Sequence, residues 1–441
     1  MAEIAAFRGI LYDPQKVTAD KVLAPPYDVI SDEERDRLAG LDAHNFVRLI
    51  LPRDAGGGDG DEKYEEAART LRAWLADGTL RRDDRPALYR YHQTFTLEGQ
   101  TATRRGFICR VRLHRFDEGV ILRHERTLAG PKADRLRLKR ACMAHLSQVF
   151  GLYSDPARVA DDLFAAIERE APALAGTTSD GVEQKLWRLT DRAQQARVAA
   201  LVADKRIYIA DGHHRYETML ALRDELRQRH PDRPAGSSID FGTIFLSNLD
   251  DPSLLVFPTH RVLHGLPSFD RGGLLARAAA FFTVDDGGVV GPEQALTVRG
   301  KLAELGRKGP SFGVLSGGRL SWLTLRRDAP LDRVAALRGP AVLRELDVTI
   351  LHAVVIEEIL GVDRAAQEAQ TNLRYLKDTR AAIAEGGRAD VQAVLLMNPT
   401  PVAQVRAVSD AGEVMPQKST FFYPKLASGI VVNPIDPAEA V

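Results

Sequence analysis

The chain is predicted to be a mixed α/β (α+β) protein, on three observations. Aromatic and β-branched runs of strand length alternate with amphipathic stretches of helix length. The sharpest transition, RIYIA into DGHHRYETMLALRDELRQR, reads as a strand passing through a glycine turn straight into a helix. An apolar content of 44% over 441 residues is enough for two or three domains that each bury a core.

At the N-terminus, AFRGILYD and VLAPPYDVI read as short strands and turns, because Pro25 and Pro26 forbid helix and push the residue before them into extended geometry. Ser31, with Glu34 three residues on, is a capping box that starts a helix. NFVRLILP, residues 45 to 52, is expected to be a strand. The AGGGDGD run after it is expected to be a loop, and residues 61 to 77 a helix with Tyr64, Ala67, Ala68, Leu71, Trp74 and Leu75 on one face. Residues 87 to 97 and 104 to 116 alternate as a strand pair around Glu98 and Gly99. A helix follows Pro131, and amphipathic helices are expected over 157 to 171 and 192 to 203, with KLWRLT a strand between them. FGTIFLSNL is a buried strand, and LLVFPTHRVLHGL a strand that ends at Pro258. FFTV, SFGVLSG and LSWLTL are short strands of a smaller α/β domain. LDVTILHAVVIEEILG is an apolar helix, and VQAVLLMNP a strand and turn. The polar run MPQKSTFFYPKL carries aromatics that imply it docks on something. The expected division is a core over residues 1–265, a small α/β domain over 266–340, and a helix and strand region over 341–441 whose tail docks on the core.

Sixty Lys and Arg cancel sixty Asp and Glu, so no global field draws the chain to nucleic acid or anionic lipid, and any anion binding must come from local clustering. Two cysteines without CxxC spacing exclude a disulfide framework and a structural zinc site. No signal-like N-terminus and no apolar run of membrane-helix length is seen, so a cytoplasmic location without membrane contact is expected.

The strongest chemical candidate is Asp211-Gly212-His213-His214-Arg215. Backbone N–H groups at a helix start, after a glycine turn, favour a phosphate, which Arg215 can complete. His213 and His214 can orient a hydroxyl or move a proton, and Glu217 is a candidate base. Adjacent histidines on a helix diverge, unlike the i, i+4 pair of a zinc helix, so no metal ligands are assigned. A second candidate is Arg123-His124-Glu125-Arg126 with Lys132 and Arg135. Residues 101 to 140 hold 12 Lys or Arg against 4 Asp or Glu, a surplus suited to a polyphosphate. The bland alternative is a solvated face. Asp28, on the stiff Pro-Pro turn, is a candidate base, as is Glu125. His260 and Arg261 follow a strand, and Lys418, Ser419 and Thr420 resemble a phosphate cover without P-loop spacing.

The successive blocks APPYDVI, NFVRL, RHERTLAGPKADR, IADGHHRYET, FPTHRV and MPQKSTFFYPKL resemble those of the bacterial DUF1015 family over essentially the entire chain. The DGHHR block resembles the phosphate-contacting motif of the ParB/sulfiredoxin-like superfamily, which includes kinases of free L-serine. The resemblance implies a ParB/sulfiredoxin-like nucleotide-binding core with a large insertion, and makes Asp211 through Arg215 its nucleotide-phosphate and catalytic block. It also implies ATP or ADP, with Mg²⁺, as cofactor. No cysteine adjoins the block, which disfavours sulfiredoxin chemistry, and no helix-turn-helix or basic DNA-binding domain is found, which disfavours a nucleic-acid partner. The expected function is therefore nucleotide-dependent phosphorylation of a hydroxyl on a small metabolite, with free L-serine a candidate. The alternative is a nucleotide-binding or nucleotide-hydrolysing regulator without an acceptor. The expected partners are nucleotide and small-molecule substrate, and a homodimer is compatible with the sequence.

Overall fold

The computed structural model describes residues 1–53, 60–127 and 129–441, with the side chains of residues 129–131 left aside. The AGGGDGD loop lies mostly outside the described residues. The chain divides into two compact units. Unit 1 is Met1–Arg123, Thr127–Leu255 and Pro424–Val441, and unit 2 is His124–Arg126 and Val256–Tyr423.

Unit 1 is built on a nine-stranded mixed sheet. From edge to edge it runs Ile121–Leu122, Ile207–Asp211, Val149–Tyr153, Phe241–Asn248, Gln100–Arg112, Leu88–Leu97, Glu183–Leu189 and Leu174–Thr177, with Ile4–Ala5 also paired to Gln100–Arg112. Ile207–Asp211 is parallel to Ile121–Leu122, and Phe241–Asn248 is parallel to Val149–Tyr153, while the remaining pairs are antiparallel. One core includes Phe107, Val149, Ile207, Ile209, Ile244 and Leu246 of this sheet, together with Tyr216 and Met219 of the helix His213–Arg229. Burying these side chains, at roughly 1.5–3 kcal/mol each, fixes the strand ends that carry the site. A second cluster gathers Phe46, Val47, Leu49 and Ile50 with Tyr64, Leu71 and Trp74 of the helix Glu62–Ala76.

The mixed α/β architecture is as expected, with two local corrections. Residues 45 to 52 are not a strand, and Val47–Ile50 is a helical turn. Asn45 Oδ1 accepts the Val47 N–H at 3.0 Å while its amide donates to the Lys21 carbonyl. These bonds from Asn45 hold a turn in a segment whose short apolar pattern fits either state. The strand expected to end at Pro258 resumes as His260–His264.

Unit 2 is built on a six-stranded antiparallel sheet, in the order Phe282–Val289, Arg319–Leu325, Ser311–Ser316, Val391–Met397, His260–His264, Leu373–Leu376. Residues 266–340 are thus not separate from the C-terminal helix and strand region, because Val391–Met397 pairs with Ser311–Ser316 on one side and His260–His264 on the other. The apolar segment near residue 350 is helical, but only Asp347–Ile350 is α. Leu351–Ile359 is a π-helix, buried along most of its length.

Candidate functional site

The strand Ile207–Asp211 pairs with Val149–Tyr153, and its register slips between Ile209 and Asp211. Such a bulge re-aims the strand end that delivers Asp211. Gly212 comes next in the chain at φ 92° and forms the N-cap of the helix His213–Arg229. A side chain is excluded there twice over, since that φ is left-handed and a Cβ would lie 2.9 Å from Arg215 Nε. Gly212 brings no capping side chain, so the helix start keeps the positive end of its dipole uncompensated by its own cap.

The carboxylate of Asp211 is held on both sides. Arg215 Nη2 donates to Oδ2 and Lys425 Nζ donates to Oδ1. Burial alone would raise the Asp211 pKa, but the charges of Lys425 and Arg215 outweigh it and hold the group well below the usual carboxylate range. Arg215 spends its other arm on the Gln148 carbonyl. Its guanidinium therefore braces the turn instead of projecting as a phosphate fork. Gln93 Nε2 donates to the Lys425 carbonyl at 2.9 Å, and Gln93 Oε1 accepts from Arg104.

Arg104 is fully buried, with its guanidinium 4.4 Å from the Phe150 ring centroid and 5.6 Å from that of Phe245. Its Nε and Nη1 have no hydrogen-bond partner among the described residues. Burial lowers its pKa to about 9, against the opposing pull of Tyr91 and Asp211, so it stays cationic at neutral pH. Arg215 and Lys425 thus hold the carboxylate at the strand end, and Arg104 lies within electrostatic reach of it.

Glu217, one turn along the helix, accepts from Lys132 Nζ at 2.8 Å, Thr127 Oγ1 at 2.7 Å and Arg123 Nη1 at 3.3 Å. Burial would raise its pKa, yet the Lys132 and Thr127 hydrogen bonds lower it. A carboxylate clamped by three donors is a poor proton acceptor. The Pro-Pro turn comes to the same end of unit 1. The Tyr27 ring lies 4.3 Å from the Arg135 guanidinium, and its phenol is raised by burial and then by Asp28, with Arg215 and Asp211 also within electrostatic reach. Asp28 is exposed and makes no side-chain hydrogen bond or ion pair among the described residues. Arg135 itself bonds the Ile50 carbonyl and Asp134. Beneath it, Lys139 is buried against Thr218 Oγ1 and the Arg215 carbonyl, and burial pushes its pKa well down.

The basic surplus of residues 101 to 140 is not one positive wall. Arg112 pairs with Glu3, Arg110 with Glu439, Arg140 with Glu225, and Arg123 and Lys132 with Glu217, all carboxylates from outside the segment. Arg104 and Lys139 are buried in this stretch and meet no carboxylate among the described residues.

The other sequence candidates belong to unit 2 and form their own cluster. His124 Nε2 is 2.9 Å from Thr420 Oγ1, the His124 carbonyl accepts the Met415 N–H at 2.8 Å, and Glu125 Oε1 accepts the Lys418 N–H at 2.7 Å. Ser419 bonds the Pro416 carbonyl and its own carbonyl accepts from Thr400 Oγ1 at 2.9 Å. His260 and Arg261 are buried in a network rather than set on a wall. Met397 N–H donates to His260 Nδ1 at 3.2 Å and His260 Nε2 lies 3.0 Å from Thr379 Oγ1. Arg261 Nε donates to His352 Nε2 at 3.1 Å, and His352 Nδ1 is 2.6 Å from Gln367 Oε1. Arg126 is exposed and lines a cavity of unit 2.

Sequence reasoning missed Arg104 and Lys425. Lys425 comes directly after the MPQKSTFFYP run, so its docking was foreshadowed, whereas nothing in RRGFICR marks Arg104 as the buried one.

The fold and site define a mixed α/β protein in which a strand end, a glycine turn and a helix start bring Asp211, Arg215 and Lys425 together. The chain belongs to the DUF1015 family, proteins of unknown function, whose profile matches residues 4–349. No curated protein matches it. Among solved structures it is similar to a conserved hypothetical protein from Pyrococcus furiosus, with 14% identity over 73% of this chain and 92% of that one and a TM-score of 0.32. It is also similar to a free serine kinase in complex with AMP, with 13% identity, 72% and 86% coverage and a TM-score of 0.31. A third is C-terminally truncated SbnI from Staphylococcus aureus, with 11% identity, 72% and 84% coverage and a TM-score of 0.33. No described helix is long and apolar enough to cross a membrane.

Proposed function

We propose that unit 1 binds the phosphates of a nucleotide at the start of the helix His213–Arg229 and passes a phosphoryl group to the hydroxyl of a small metabolite. The observation that supports this most is the imbalance of buried charge at the strand end, where Arg215 and Lys425 share one carboxylate, Asp211, and buried Arg104, within its electrostatic reach, pairs with no carboxylate among the described residues. Buried charge in excess of its counter-ions is costly, and a bound polyanion relieves it. Phosphoryl transfer suits such a site because its loose transition state draws mainly on fixed positive charge and positioning. His213 and His214 stand at the helix start, where a proton from the acceptor hydroxyl can be received, and exposed Asp28 is the carboxylate not already clamped. Both Asp211 oxygens are taken by cations, so Mg²⁺ accompanying ATP or ADP would be held chiefly by the phosphates, with Asp28 in reserve.

The test is calorimetric titration of the full chain with ATP, ADP and AMP, followed by ³¹P NMR of ATP turnover with hydroxylated acceptors, free L-serine first. Binding that weakens at least about tenfold in Lys425→Gln, together with acceptor-dependent loss of the γ-phosphate, supports the reading. Absence of binding by all three nucleotides overturns it. The clamping of Asp211 and Glu217 favours a second reading, a nucleotide-binding regulator, and hydrolysis indifferent to any acceptor would select it.

A further inference from the structure

Unit 2 contains a cavity of about 610 Å³ that takes no part in the proposed phosphoryl transfer, and every residue that lines it belongs to that unit. That volume falls within the range that accommodates a metabolite-sized ligand. One wall is the π-helix Leu351–Ile359, which contributes His352, Ala353 and Glu357. A nine-residue π-helix gives up the favoured i to i+4 bonding, and its 3.1 Å bond from Leu360 N to the Val355 carbonyl shows the wider turn. Such stretches are rare and collect at functional sites because they widen the helix and re-aim its side chains. Here the π-helix carries His352 on the lining, with its ring held by Arg261 and Gln367.

Other lining residues supply charge. Arg338 and Arg344 line the cavity and make no side-chain hydrogen bond or ion pair among the described residues, whereas Arg364 on the same cavity is taken by Glu368 at 2.9 Å. The Thr349 hydroxyl is buried on the lining without a hydrogen-bond partner among the described residues. An orphaned buried hydroxyl is destabilising unless something else satisfies it. Leu337, Pro340, Leu343, Ala353, Met415 and Pro416 make the rest of the lining largely apolar. With Arg126 there are three guanidiniums on this lining that pair with no carboxylate among the described residues, against Glu357 and Glu413, so the balance favours a negative ligand.

We infer that this cavity is a binding site for a small organic anion, an oxyanion on an apolar body, with Arg338 and Arg344 receiving the oxyanion. The oxyanion can be a carboxylate or a phosphate, and two probes with one apolar body separate them: benzoate and phenyl phosphate, with benzyl alcohol as the neutral control. The readout is built into the chain, which has five methionines. With ¹³C-methyl methionine, Met415 reports the cavity, while Met143 and Met219 report unit 1. The expected result is a saturable shift of the Met415 resonance with at least one of the two anions, with Met143 and Met219 unmoved. The double variant Arg338→Gln/Arg344→Gln should weaken it at least tenfold, and the off-cavity control Arg333→Gln should leave it unchanged. Unaltered Met397, Met143 and Met219 resonances in the double variant establish that it is folded. No Met415 shift with either anion, an equal shift with benzyl alcohol, or an affinity unchanged in the double variant would each overturn the assignment. Because the reporting methionine sits on unit 2, these outcomes are independent of whether nucleotide binds unit 1.

Discussion

Acidification should destabilise unit 2 through two histidines that the fold holds neutral. At His260 the Met397 N–H occupies Nδ1 as acceptor, and at His352 the Arg261 Nε–H occupies Nε2, so each ring can carry only one proton without losing a hydrogen bond. Burial, followed by the charge of Arg261, lowers both from the ordinary 6.5 to about 3. Between those values the unfolded chain binds more protons than the folded one, so stability is present at neutral pH and is lost as pH falls below about 6.5. At pH 5.5 the cost is RT ln(1 + 10), about 1.4 kcal/mol for each histidine and about 2.7 kcal/mol for the pair relative to pH 7.5, and it depends little on how far below 5.5 the folded value lies. Asp347 acts in the opposite direction. Burial raises it to about 6, so it takes up its proton in the folded state and returns roughly 0.8 kcal/mol at pH 5.5. The net loss for these three groups is about 1.9 kcal/mol. Trp322 is the tryptophan of unit 2, so a Trp74→Phe/Trp187→Phe background makes its fluorescence a reporter of that unit in urea titrations at the two pH values. In His260→Gln/His352→Gln the same pH step should cost about 2.7 kcal/mol less than in the background chain. Equal pH dependence in the two would refute the neutral, donor-capped assignment.

Other consequences concern unit 1. Lys425→Met removes one of the two cations on a mostly buried carboxylate and should cost about 1–3 kcal/mol of stability at pH 7, measured by denaturant unfolding. The loss should shrink in an Asp211→Asn background, since the lysine then has no anion to meet. Because Asp211 is depressed in the folded state, the stability it contributes is present above its ordinary value and is lost as pH falls through the acid range, so Asp211→Asn should flatten the acid limb of the stability profile. Gly212→Ala forces a left-handed φ and crowds Arg215, and should cost about 1–2 kcal/mol and weaken any nucleotide binding; thermal unfolding and calorimetry check both. Asp28→Asn, an exposed change, should leave thermal stability within about 0.5 kcal/mol while lowering phosphoryl transfer at least about tenfold in the ³¹P assay.

What the sequence determined by itself was whatever is encoded locally. RIYIADGHHR announced its strand, turn and helix because hydrophobic run, glycine and helical periodicity are all read within a few residues. The same locality misled at NFVRLILP, where five apolar residues fit a strand or a turn and one bond that holds Asn45 in place reaches the distant Lys21 carbonyl. Tertiary structure alone decided which charges are available. Arg215 looked like a phosphate fork and is a brace for Asp211. The basic stretch from 101 to 140 looked like a wall and is largely neutralised by Glu3, Glu217, Glu225 and Glu439, from distant parts of the chain. Arg104, one of two adjacent arginines in sequence, became the buried one because strand alternation turned it onto Phe150 and Phe245. Composition fixes how many charges a chain carries, but pairing and burial are long-range events, and those set the electrostatics of a site.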